Sequence, residues 1–181
     1  MQEPTKQSTE HLDAVRQIAL ELAGPAADAV DRDARFPHEA VEGLKKARMM
    51  SAFVPTSLGG LGIGMGELAA MCEALGQHCS AAGMVFAMHQ IQVASMVRHG
   101  ASQPFYKRYL EQLVERQNVI ASVTSEVGVG GEMRTSLCAV QVQGDRFSLV
   151  KDASTISYGE QADDLLVTAR SGPDAPNSDQ V

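Results

Sequence analysis

The chain has 181 residues, 44% of them hydrophobic and 20% charged, with a formal net charge of -7. That length supports one core or two smaller units sharing a seam. The negative balance argues against wrapping a phosphate backbone, and no apolar run approaches the roughly 20 residues of a membrane span, so roles on nucleic acid or across a bilayer are set aside.

The first residues, MQEPTKQSTEH, are polar and lack an apolar h-region, so no secretory signal is expected. Cys72, Cys79 and Cys138 are odd in number and lack metal-ligand spacing, which fits reduced thiols in a cytoplasm. From Ser8 to Val30 the pattern is helical, with Leu12, Val15, Ile18, Ala19 and Leu22 on one stripe. Gly24-Pro25 interrupts it as a kink or a break. A second helix fits Pro37–Ala47, with Pro in its first turn. The glycine-rich SAFVPTSLGGLGIGMG loop then leads to a helix over Gly66–Gly76. The next, Ser80–Arg98, is apolar nearly all round and so expected at the centre of a bundle. Its Met84, Met88 and Met96 fill core gaps or line an adaptable groove, the first use being the commoner one. A last helix, Gln103–Arg116, starts at Pro104.

From Val119 the texture changes to short β-branched runs: VIASVT, LCAVQVQ, FSLV and DLLVTA, with QGDRF as a hairpin signal. The fold class is therefore α+β: an all-α bundle over residues 1–118, followed over 119–181 by an incomplete, antiparallel, barrel-like β unit. Few strands with apolar faces leave edges uncovered. The chain is expected to be the N-terminal part of a longer protein, a complete small α+β protein being the alternative.

Three motifs, in order, carry a resemblance. VPTSLGGLGIGMGELAAMCEALGQHCS resembles a "P…LGG.G" loop leading to "E.LG…S"; YLEQLVERQNVIASVTSEVGVGGEMRTS resembles "YLP.L..G….A.TEP.AGSD….T"; VKDASTISYGEQADDLLVTAR resembles "G.K.WITN…AD..LV.AR". In these three motifs the chain resembles the acyl-CoA dehydrogenase family. The resemblance implies a helical domain, a middle β domain, a C-terminal four-helix domain outside this sequence, FAD as cofactor, a homotetramer, and an electron-transfer flavoprotein as acceptor. It implies the α,β-dehydrogenation of an acyl thioester. The family's usual base is a glutamate of the third domain, so no catalytic residue is named here. The part alone is expected to be inactive.

By position, the resemblance implies flavin contacts for Ser122, Val123, Thr124, Ser125, Gly130, Gly131, Thr155, Ile156 and Ser157, and acyl-side contacts for Gly131, His89 and Gln90. Ser125 and Glu126 match the hydroxyl residue and glutamate of "TEP", and Ser157 the hydroxyl of "WIT". Glycines allow close backbone approach, and hydroxyls donate or accept without adding charge. Val127 departs from the family proline, Gly131 from a serine that touches the acyl-CoA, and Thr155 from a tryptophan covering the ring. The last departure leaves room for a bulkier substrate or for oxygen, so a flavin-dependent monooxygenase on the same scaffold is one alternative. A non-catalytic assembly subunit is another.

Taken alone, GVGG reads as a turn and not as a dinucleotide fingerprint, since no periodic helix follows it. Adjacent His78 and Cys79 read as helix-end packing, and His89 alone as a hydrogen-bonded core histidine. The five histidines show no metal-ligand spacing.

Overall fold

The computed structural model describes residues 6–100, 102–132 and 134–181; the polar stretch through Thr5 lies outside them. Among the described residues six α-helices precede four short strands. The helices are α1 (Lys6–Ile18), α2 (Gly24–Arg32), α3 (His38–Lys46), α4 (Met65–Gly76), α5 (Ser80–Ser95) and α6 (Pro104–Arg116). Among the described residues no helix is long and apolar enough to cross a membrane.

Between α1 and α2 the chain neither breaks nor restarts. A π-type turn, Ala19–Ala23, carries it across, and the Gly24 N–H reaches the Ala19 carbonyl. Pro25, which lacks an N–H, falls directly after this turn, where the irregular helix geometry accommodates the missing hydrogen bond. A second π turn, Met96–Gly100, closes α5. The α4–α5 crossing is close: a Cβ on Gly83 would stand 3.0 Å from the Gly76 backbone. One core gathers Val15, Leu44, Met50, Met71, Leu75 and Phe86 between the helices. A second joins Val93, Leu110 and Leu113 to Ile120, the first strand residue. The expected central helix is indeed lined by buried residues, although Met84 and Ile91 on its outer face are exposed.

The strands are β1 (Ile120–Val123), β2 (Gln141–Gln143), β3 (Arg146–Ser148) and β4 (Asp164–Val167). β2 and β3 form the expected antiparallel hairpin around Gly144, whose φ is +65°. β1 and β4, however, pair in parallel, Ile120 opposite Asp164. A parallel pair needs a long crossover, and residues 124–163 supply it. The antiparallel expectation therefore holds for one pair of the two, and these strands do not close a barrel.

One buried turn joins helices to strands. The 3-10 turn Met49–Ser51 is wholly buried, and side chains bond the Met50 N–H and the Met49 and Met50 carbonyls. His89 sits 2.7 Å from the Met50 carbonyl through Nε2, while its Nδ1 accepts the Ile120 N–H at 3.1 Å. Those partners fix the tautomer: Nε2 carries the proton and the ring is neutral. Gln90 Nε2 donates to the Met49 and Met50 carbonyls at 2.8 and 3.2 Å. Gln117, at φ +56°, accepts from Met50 N and donates to Ser51 Oγ. β4 is tied down separately: Asp164 accepts from Tyr109 Oη and Asn118 Nδ2, and Asp163 accepts from the Val119 N–H.

Burial holds the His89 pKa down at about 4, against an ordinary 6.5, despite the Met50 hydrogen bond that favours its charged form. In the unfolded chain the imidazole binds a proton near pH 6.5, so stability is full above that value and falls as pH drops toward 4. The shift corresponds to about 3 kcal/mol. Urea unfolding at pH 7.5, 6 and 5 should show this decline in the wild type and lose it in His89→Leu. That variant should be less stable by about 2–4 kcal/mol at pH 7.5, because the buried Ile120 N–H loses its partner and the Met50 carbonyl one of its two donors. A flat wild-type profile from pH 7.5 to 5 contradicts the assignment.

Candidate functional site

Beyond Val123 the chain leaves the β1–β4 pair and enters a loop whose shape is set by backbone angles. Gly128, Gly130 and Gly131 have φ of +96°, +59° and +85°. A Cβ on Gly130 or Gly131 would meet nothing within 4 Å. Gly130 and Gly131 are thus required by the left-handed backbone and not by crowding, while a Cβ on Gly128 would also meet Leu137 Cδ1 at 2.9 Å.

The neck of this loop is cinched by a carboxylate. Glu126 accepts hydrogen bonds from Ser136 Oγ at 2.7 Å, Leu137 N at 3.1 Å, Cys138 N at 2.6 Å and Lys151 Nζ at 3.0 Å. Lys151 also donates to the Thr168 carbonyl at 2.8 Å, just past the end of β4. Both side chains are nearly sealed from solvent, 5% exposed for Lys151 and 4% for Glu126. Burial alone would raise the Glu126 pKa; the hydrogen bonds from Ser136, Lys151, Cys138 and Leu137 outweigh it and hold the carboxyl below its ordinary value. A buried charge this fully partnered holds a geometry. Val127 N, donating to the Asp152 carbonyl at 2.9 Å, adds a second tie at the same neck.

A hollow of about 290 Å³ opens against the loop, lined by Thr124, Ser125, Gly131, Glu132 and Ser154 among others. Its size lies at the low end of small-molecule sites, about 300–1,000 Å³. Hydroxyls from two chain segments converge on it, beside open glycine backbone. Neutral donors and acceptors of this kind suit the polar edge of a flat heterocycle, so the residues present fit part of an isoalloxazine ring.

The sequence-expected residues divide among three places. Thr124, Ser125 and Gly131 line the hollow. Gly130 lies on the exposed loop beside it, and Ser122 Oγ stands 3.4 Å from Thr124 Oγ1, while Val123 is buried in β1. From the second segment it is Ser154 that lines the hollow; Thr155, Ile156 and Ser157 are not among its lining residues. Thr155 is exposed, Ile156 and Ser157 half-buried. His89 is fully buried, with both ring nitrogens engaged by backbone, and belongs to the joint. Gln90, beside it, forms part of the wall of an apolar groove between α4 and α5.

Sequence reading did not anticipate the Glu126–Lys151 pair or the anchoring by Asp163 and Asp164. Both ion-pair residues sit in the quoted motifs, but their partnership spans 25 positions and no local periodicity marks it.

Lys151→Met should leave Glu126 buried without its cation and cost about 3–5 kcal/mol in urea unfolding. Adding Glu126→Gln should recover a large part of that loss. A single-variant cost within experimental error of zero contradicts the clamp.

The family model for the N-terminal domain of acyl-CoA dehydrogenases matches residues 5–117, more than half of the chain. Cyclohex-1-ene-1-carbonyl-CoA dehydrogenase of Geobacter metallireducens is 25% identical over 175 residues, 96% of this chain and 46% of that protein. This chain thus spans about half the length of the curated relatives it matches. Butyryl-CoA dehydrogenase of Megasphaera elsdenii has the same fold, with TM-score 0.80 at 16% identity over 94% of this chain and 46% of that one. So has the dibenzothiophene monooxygenase of Paenibacillus sp. A11-2, with TM-score 0.77 at 16% identity over 93% and 41%. With more than half its length matched by that domain, the chain belongs to the acyl-CoA dehydrogenase family.

Proposed function

We propose that this chain forms the flavin-facing N-terminal part of an FAD-dependent oxidoreductase that dehydrogenates an acyl thioester between its α and β carbons. Residues 1–118 form its helical domain and 119–181 the first part of its middle β domain. The observation that carries this reading is the glycine loop, clamped at Glu126, which brings Thr124, Ser125 and Gly131 to one hollow in a chain of this family.

FAD, when bound, supplies the hydride acceptor. The chain's own residues position and insulate. The Thr124 and Ser125 hydroxyls and the Gly130–Gly131 backbone hold the ring edge, and Ser154 approaches from the second segment. Ser122, Val123, Thr155, Ile156 and Ser157, outside the lining of the hollow, take the remaining flavin contacts that the family resemblance implies. Gly131 leaves room on the acyl side, and Gln90 borders the space for the acyl group. Fixed neutral dipoles of this kind are ready for developing charge without reorganising. The α-proton is taken by a base that these residues do not provide. An electron-transfer flavoprotein is the proposed acceptor, a homo-oligomer the proposed assembly, and the cytoplasm the proposed location.

Thr155 supports a second reading. It is exposed where the family has a ring-covering tryptophan, and a monooxygenase shares the fold. Oxygen consumption dependent on reduced flavin and an aromatic substrate would select that reading, and its absence would remove it.

Riboflavin titrated into the chain should be quenched with weak affinity, and Gly131→Val should weaken binding by about tenfold or more, since φ +85° strains any side chain there. FAD should bind no more tightly than riboflavin, because the hollow, about 290 Å³, takes only part of the ring system that the two share. Tight FAD binding by a monomer, or an unchanged affinity in Gly131→Val, contradicts the assignment.

A further inference from the structure

The Glu126–Lys151 clamp encloses a sulfur that the flavin reading leaves unused. Cys138 Sγ lies 3.3 Å from Ser136 Oγ, 3.6 Å from the Thr168 carbonyl and 3.9 Å from Lys151 Nζ. Two short hydrogen bonds fix the amine: Nζ donates to the Thr168 carbonyl at 2.8 Å and to Glu126 Oε2 at 3.0 Å. Its third N–H finds only longer contacts, with Thr168 Oγ1 at 3.4 Å, Ser136 Oγ at 3.5 Å and Cys138 Sγ at 3.9 Å. The Ser136 hydroxyl is itself committed to Glu126 at 2.7 Å. A thiol and a primary amine are thus held side by side, with a carboxylate touching the amine.

Both groups are screened from bulk solvent. Cys138 is 7% exposed and the Lys151 side chain 5%. Such a site admits an oxidant as small as hydrogen peroxide and shuts out thiols as bulky as glutathione. A thiol oxidised to its sulfenic acid condenses with another thiol or with a nitrogen. Cys72 and Cys79 belong to the helical bundle, in α4 and at the start of α5, whereas a nitrogen already stands against Cys138.

We propose that Cys138 and Lys151 form an oxidative modification site, at which hydrogen peroxide converts the pair to a covalent sulfenamide. In the first step the Cys138 thiol becomes a sulfenic acid and water is released; sulfur loses two electrons, and the O–O bond that breaks takes them. In the second, the Lys151 ammonium gives one proton to the Glu126 carboxylate 3.0 Å away, and the freed amine attacks the sulfur. The S–O bond breaks, an S–N bond forms, and the departing hydroxide takes a second proton from the nitrogen and leaves as water. The flexible four-carbon stem of the lysine covers the remaining distance. The product carries no charge at position 151 and a protonated Glu126, so an ionic tie at the loop neck is exchanged for a covalent one. That the peroxide comes from a reduced flavin meeting oxygen in the hollow rests on the function proposed above; the cross-link itself does not.

The test treats the chain, without flavin, with a few equivalents of hydrogen peroxide, alkylates free thiols in denaturant and maps the product by mass spectrometry. The whole-chain mass should fall by two hydrogens before alkylation, and Cys138 should escape the alkylating agent. Trypsin cuts after Arg134, Arg146 and Arg170, and it should release residues 135–146 joined to residues 147–170 with the cut at Lys151 lost. A thiol reductant should restore the separate peptides. Lys151→Arg keeps a cation beside Glu126 but offers no nucleophilic amine. In that variant the link should vanish, and a sulfenic acid trapped by dimedone should appear on Cys138 instead. A disulfide from Cys138 to Cys72 or Cys79, a sulfinic acid on Cys138 without a link, or an untouched Cys138 in the wild type would each overturn the proposal. The wild-type map decides among these outcomes even if the variant folds poorly. Flavin is absent throughout, so a missing link leaves the flavin reading standing, and absent riboflavin binding leaves the link standing.

Discussion

A neutral imidazole held between two backbone groups organises this molecule. His89 donates to the Met50 carbonyl and accepts from the Ile120 amide, and so ties the central helix to a buried turn and to the first strand at once. The arrangement works only with an uncharged ring, because a second ring proton would face the Ile120 N–H. Gln90 and Gln117 complete the satisfaction of the same turn, so a segment with no regular partner of its own is buried without orphaned peptides around Met50.

The joint matters for function because the two candidate regions hang from it. Gln90 follows His89 directly in α5 and borders the α4–α5 groove. Ser122 follows Ile120 by two positions, and β1 leads straight into the loop around the hollow. The distance between the groove and the hollow is therefore set by one buried connection and not by a flexible linker. Chemistry between a bound ring and a bound acyl group tolerates only about 0.5 Å of looseness, which places the burden on such joints. At the far end of the loop the Glu126–Lys151 pair fixes the neck in the same manner, with charge in place of a neutral ring.

Much of this was legible in the sequence where a period carried it. The α4 expectation, Gly66–Gly76, misses the observed start by one residue, and the QGDRF hairpin is where the turn chemistry put it. Gly24-Pro25 marked a real irregularity, but the π turn that absorbs it depends on an Ala19–Gly24 hydrogen bond with no compositional signature. Parallel pairing of β1 with β4 was hidden because strand direction is decided by the crossover and not by either strand. In the site, the glycine loop was readable from its composition. Ser154, standing in the hollow ahead of Thr155–Ser157, was not, since an irregular segment has no period to fix which side chain faces in. His89 drew a substrate role by position and a core role by chemistry; burial and two backbone partners decide for the core.

The account stands or falls on whether the clamped loop offers a surface to a flat ring. An amide chemical-shift map of the chain with saturating riboflavin measures this residue by residue. The largest changes should fall on Thr124, Ser125, Gly130, Gly131 and Ser154, with α2 and α3 silent. Changes centred anywhere else, or none at saturation of the ligand's solubility, would contradict it.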